Sequence, residues 1–301
     1  MTRVFLGSEG LRVGWRLVIA ISLWFVLTGL LPILLIWIPD VRVLIAHLTA
    51  TVVLTPATLL FTDGVTASAA LLTALVMTKI EHRSFGAYGL PWREAFGKRF
   101  WQGALYGFAM ISVLLGVIAG LHGFSVHGLA LNVPAATRYA LLYLAGFIVV
   151  ALFEEFAFRG YLQSTLQLIT GFWPAAAILA VGFGTIHLGN PGEAKYGAIM
   201  AGFFGLLAAF TLRRTGSIWF AIGLHTMWDW GETFLYSVRD SGVPATGHLM
   251  NSEFHGPTWL TGGTVGPEGS LIVFGVLGIS ALVFHFLFPA REFPADAESQ
   301  Q

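Results

Sequence analysis

The chain reads as an all-α polytopic membrane protein of about eight transmembrane helices around a central intramembrane polar cavity. Three observations carry that reading. Of 301 residues, 56% are hydrophobic and only 11% are charged, against about 25% charged in an ordinary soluble domain. Mean hydropathy is +0.76. The few ionisable residues inside the apolar runs are grouped: Glu154-Glu155 with Arg159, then Phe183 with His187, then His225 with Asp229. A charge at the bilayer centre costs roughly 2.5–3.5 kcal/mol on insertion scales, so such residues persist mainly where they have work to do.

The elements follow from the apolar runs. Leu17 to Ile38 is uncharged over 22 residues, longer than a signal-peptide core and without a small-x-small cleavage site, so it reads as a retained helix. Further spans are expected at 43–80, 100–121, 138–168, 174–190, 195–212, 217–238 and 270–289, because lipid leaves no water for unpaired backbone groups. The 43–80 segment is too long for a simple span. As one helix it would run roughly 57 Å, and it contains Pro56 and Asp63-Gly64, so it is either one kinked helix or a span plus a half-span. Counted once, with a cytosolic N-terminus, it puts eleven basic residues on the inner side and four on the outer side (Arg42, Arg138, Lys195 and Arg239). That is the positive-inside pattern. Both termini are expected in the cytosol.

The division that results is 1–137 for the N-terminal helices, 138–238 for a four-span core, 239–269 for an outer loop, 270–289 for a last helix and 290–301 for a polar tail. Gly197, Ala201, Gly205 and Ala209 recur every four residues, a stripe that lets another helix approach closely. Net charge is zero, which argues against nucleic acid as a partner. The absence of cysteine excludes a thiol nucleophile, disulfides and thiolate metal sites.

Spacing assigns different tasks to the two glutamates. Arg159 lies four residues after Glu155, on the same helix face, so those two can pair. Glu154 then points elsewhere, free to act on a proton. With a turn near Gly171, Glu154 and His187 fall at similar depth, roughly 20–24 Å from the inner helix ends. His225 and Asp229 share a face at comparable depth. Each piece alone has an ordinary explanation: a buried ion pair, a histidine bonded to a carbonyl, a local His–Asp contact. His122, His127, His248 and His255 fall in loops, where surface residence is expected, and Trp228 and Trp230 suit packing or a cavity wall.

Glu154-Glu155-x-x-x-Arg159, Phe183-x-x-x-His187 and His225-x-x-x-Asp229, in this order, resemble the motif series of the CAAX-protease and bacteriocin-processing (CPBP, or Abi) intramembrane endopeptidases. His187-Leu188-Gly189-Asn190-Pro191 and Arg214-Thr215-Gly216-Ser217-Ile218-Trp219 are similar to bacterial members, which implies a bacterial cell membrane. The resemblance covers 138 to about 238. It implies an eight-helix protease acting on a membrane-associated or lipidated protein or peptide. Glu154 would activate water, which His187 shares. His225 and residue 229 would stabilise the oxyanion, with Glu155 and Arg159 shaping the site. Prenyl-protein members carry asparagine where this chain has Asp229. An ionised aspartate only accepts hydrogen bonds, so Asp229 must be protonated or must orient His225. No cofactor is expected. Zinc at Glu154, His187 and His225 has the right ligand chemistry, but a cationic Arg159 nearby opposes it. The alternative function is a non-proteolytic membrane scaffold or immunity protein that binds a partner through its helices. A transporter or proton relay ranks last.

Overall fold

The computed structural model describes residues 5–7, 10–49, 53–190, 192 and 194–289; the 290–301 tail lies outside the described residues. The fold is all-α and integral to the membrane. Among the described residues the main helices are α1 (Val13–Leu35), α2 (Pro39–Thr49), α3 (Pro56–Glu81), α4 (Lys98–Gly120), α5 (Val133–Thr170), α6 (Phe172–His187), α7 (Lys195–Thr215), α8 (Trp219–Trp230) and α9 (Ile272–Leu287). Five of them, α1, α3, α4, α5 and α7, are long and apolar enough to cross a bilayer. Helices α6 and α9 are shorter and apolar. Helix α8 continues into a wide π turn, Gly231–Leu235.

The ambiguous 43–80 segment divides into a short helix and a single span. Thr55 starts α3 with reciprocal bonds: its Oγ1 accepts from the Thr58 amide at 3.1 Å, and its own amide donates to Thr58 Oγ1 at 2.7 Å. Pro56, which has no amide hydrogen to leave unpaired, takes the first helical position. A π turn interrupts the helix over Leu59–Asp63, and Pro56–Glu81 is long and apolar enough for a single crossing.

Helix α5 begins where Asn132 Oδ1 accepts from the Ala135 amide at 3.0 Å. Directly after Glu155 its backbone widens into a second π turn, Phe156–Leu162. Such turns change the angular offset between successive side chains and recur at functional sites. The chain reverses at Gly171, whose φ of +80° suits a residue without a Cβ, and α6 runs back alongside.

Helices α4 and α8 touch backbone to backbone. A Cβ on Gly107 would fall 1.9 Å from the Leu224 carbonyl oxygen, and one on Gly223 would fall 2.0 Å from that of Phe100. In lipid, where apolar burial gives no gain over contact with acyl chains, this close approach supplies the dispersion contacts that hold helices together. Two large clusters of buried residues fill the bundle. One holds Met110, Leu114, Phe204, Phe220, Trp228 and Phe284, and the other holds Met77, Tyr88, Phe156 and Trp219.

The segment expected as the 239–269 loop is built rather than irregular. Its strand β2 (Met250–Phe254) pairs antiparallel with β1 (Phe124–Leu129), in the connection between α4 and α5, with Ser125 opposite Glu253. No apolar periodicity marked these strands, because both faces of the ribbon are largely exposed.

Candidate active site

His225 lies at the centre of the polar groups. Glu155, fully buried, accepts from His225 Nδ1 at 2.9 Å and from Arg159 Nη1 at 3.3 Å. The expected Glu155–Arg159 pair is therefore present, and it also fixes an imidazole from another helix. Because Glu155 takes the Nδ1 side of the ring, Nε2 faces Glu154 Oε2 at 3.6 Å and Asp229 Oδ2 at 3.5 Å. Adjacent on the helix and about 100° apart, Glu154 and Glu155 meet the histidine at different ring nitrogens, and Glu154 is the more accessible of the two.

Arg159 is held from three directions. Besides Glu155 it donates Nε–H to the Gly205 carbonyl at 3.4 Å, and its guanidinium lies 4.3 Å from the centre of the Phe183 ring. The same ring also lies against His187, with the two ring centres 4.6 Å apart. The Gly205 position of the small-residue stripe thus does more than let helices pack. A Cβ there would fall 2.4 Å from Arg159 Nη2.

His187 bonds through Nδ1 to the Phe183 carbonyl at 2.7 Å. A carbonyl only accepts, so Nδ1 carries the proton, and in the neutral ring Nε2 is left as an acceptor. The ordinary reading of this histidine and its functional one are compatible: the carbonyl bond orients the ring.

These groups line one cavity of about 180 Å³, whose walls include Glu154, His187, His225 and Asp229. Three further carboxylates on that wall escaped the sequence reading: Asp63, Asp240 and Glu268. Asp63 had a signal, a lone carboxylate in the middle of an apolar run. Asp240 and Glu268 had none, because they sit in a polar loop that folds back against the cavity. Trp228 Nε1 donates to Glu268 Oε1 at 3.0 Å, while the Ser241 amide and hydroxyl donate to Oε2 at 3.0 and 2.7 Å. Thr233 Oγ1 donates to Asp240 Oδ2 at 3.2 Å. Burial, and then the neighbouring Glu268, push the Asp240 carboxyl up to about 8.

Among the described residues, two groups of three side chains each bring one ligand atom per residue within 4.8 Å of the others, close enough to hold one cation. They are Glu232 and Glu268, both buried, with half-buried Asp240, and exposed His127, Glu253 and His255.

Residues 134–231 match the family described as Rce1-like, the type II CAAX prenyl endopeptidases. The match takes in all three motifs and nearly coincides with the 138–238 core. No curated protein matches the chain. With the helical fold and the gathered motifs, the match makes residues 134–231 of this integral membrane protein an Rce1-like domain of the CAAX prenyl endopeptidase type.

Proposed function

We propose that the cavity hydrolyses a peptide bond of a membrane-associated, prenylated protein with water activated by Glu154. The observation that carries this reading is the setting of His225, fixed on Nδ1 by Glu155 and presenting Nε2 to Glu154 and Asp229 at the cavity wall. Glu154 takes a proton from water, and His187 Nε2 holds the same water. The oxygen attacks the scissile carbonyl, whose π electrons move onto its oxygen. His225, protonated on both nitrogens, donates one N–H to Glu155 and aims the other at that oxyanion. The proton on Glu154 then passes to the departing amine. Asp229 Oδ2, 3.5 Å from His225 Nε2, attracts the imidazolium rather than contacting the oxyanion, so its task is to keep that ring charged and oriented. On this reading aspartate can stand where the prenyl-protein members carry asparagine.

Glu154→Gln keeps size and polarity but removes the base, and should lower kcat by about 10²–10⁴ on a prenylated peptide. Full activity in that variant would refute the assignment. We also propose a metal-free reaction, since Glu155 is already committed to Arg159 and His225, and cationic Arg159 stands beside them. Activity should survive excess chelator in detergent. The eleven-to-four distribution of basic residues supports cytosolic termini; protease protection of a terminal tag in sealed vesicles tests that sidedness.

A further inference from the structure

Strand pairing gathers a second set of ligand-type side chains far from the catalytic cavity in sequence and outside the membrane-spanning helices. Residues two apart in a strand share a face, so β1 presents Ser125 and His127 together. Glu253 on β2 and His255, one residue past its end, do the same. The register sets Ser125 opposite Glu253, and the His255 amide extends the pairing by donating to the Gly123 carbonyl at 2.9 Å.

The tips of these side chains converge. Glu253 Oε2 lies 3.6 Å from His127 Nε2 and 3.9 Å from His255 Nε2. The Ser125 hydroxyl lies 3.1 and 2.9 Å from the same two nitrogens. Tetrahedral zinc, with bonds of about 2.0–2.1 Å, sets its ligand atoms about 3.3–3.5 Å apart. Small side-chain rotations would close the observed gaps to that spacing. Two imidazoles and a carboxylate suit zinc and related transition metals rather than calcium or magnesium, which prefer all-oxygen shells.

We propose that His127, Glu253 and His255 form a zinc site that staples the α4–α5 connection to the α8–α9 connection. Ser125 and His255, bridged at this site, are 130 residues apart in the chain. The fourth position is left to water or to the Ser125 hydroxyl.

The test uses full-length protein in detergent, purified without a polyhistidine tag, stripped with chelator, reloaded with zinc and desalted. Metal is counted by mass spectrometry. Wild type and Glu154→Gln should each retain about one zinc per chain, and the combined His127→Ala and His255→Ala variant about a tenth of that or less. Zinc should raise the Tm of wild type but not of the double variant, whose metal-free Tm should equal that of stripped wild type, because both rings are exposed. The single variant Glu253→Gln should weaken retention in the same direction. Unchanged retention in the double variant, no zinc in wild type, or loss only in Glu154→Gln would each overturn the proposal. Because chelation is expected to spare peptidase activity, failure here and failure of the catalytic assignment are distinguishable.

Discussion

At the residue scale, the i+4 rule predicted the partner of Glu155 but not its full role. Glu155 joins an arginine on its own helix to a histidine on α8. Arg159→Lys tests how much geometry this needs. Lysine keeps the charge, yet it cannot serve Glu155, the Gly205 carbonyl and the Phe183 face with one planar group. Since misplacement by about 1 Å can cost about 10²-fold in rate, kcat/KM on a prenylated peptide should fall by about that factor while expression persists. Wild-type kinetics would show that Arg159 supplies charge alone. Taken alone, His187 read first as a carbonyl-bonded histidine; it makes that bond and also lines the cavity.

At the element scale, the approach of α4 to α8 decides where His225 stands. Gly107 presses on Leu224, the residue immediately before the histidine. Gly107→Leu should force the helices apart, costing about 1–3 kcal/mol by overpacking and more in activity than in abundance. A variant with a wild-type Tm and full activity would show that the contact does not position the site. The π turn in α5 was invisible to periodicity, because the residues across Phe156–Leu162 still read as a regular apolar run. A wide turn is set by tertiary packing, and it changes which neighbours face each other. The 43–80 segment was ambiguous for a related reason. Pro56 signalled a boundary, but a proline marks both kinks and helix starts, and the Thr55–Thr58 cap selects the start.

At the scale of the whole molecule, the α8–α9 connection closes the polar cavity. Glu268 ties it to α8 through Trp228 and to its own turn through Ser241. Glu268→Gln would replace one accepting oxygen with a donor facing donors, at a cost of about 1–3 kcal/mol. A reduced Tm, with earlier proteolysis between residues 239 and 269, is the expected outcome. Asp240 gives the same region a pH dependence. Its folded pKa, about 8, lies above the ordinary 3.8, so the native state favours the protonated form. The stability this proton confers is complete below about pH 4 and is lost as pH rises to about 8. The Tm of metal-free protein should decline over that interval, and Asp240→Asn should flatten the decline. An equally steep slope in the variant would place the titrating group elsewhere.

The sequence by itself determined that the chain is a bundle of membrane helices, where most of those helices run, and which three polar motifs belong together. Those properties follow from local rules: apolar length against bilayer thickness, the 3.6-residue period, and the cost of an ionisable group in lipid. Only the tertiary structure decided that Glu155 holds His225 as well as Arg159, that Gly205 makes room for the guanidinium, and that Asp63, Asp240 and Glu268 share the cavity wall. It alone brought His127 and His255 together from distant segments. Each of these depends on contacts between segments far apart in the chain, and neither periodicity nor spacing carries information about the relative rotation of two helices or the register of two strands.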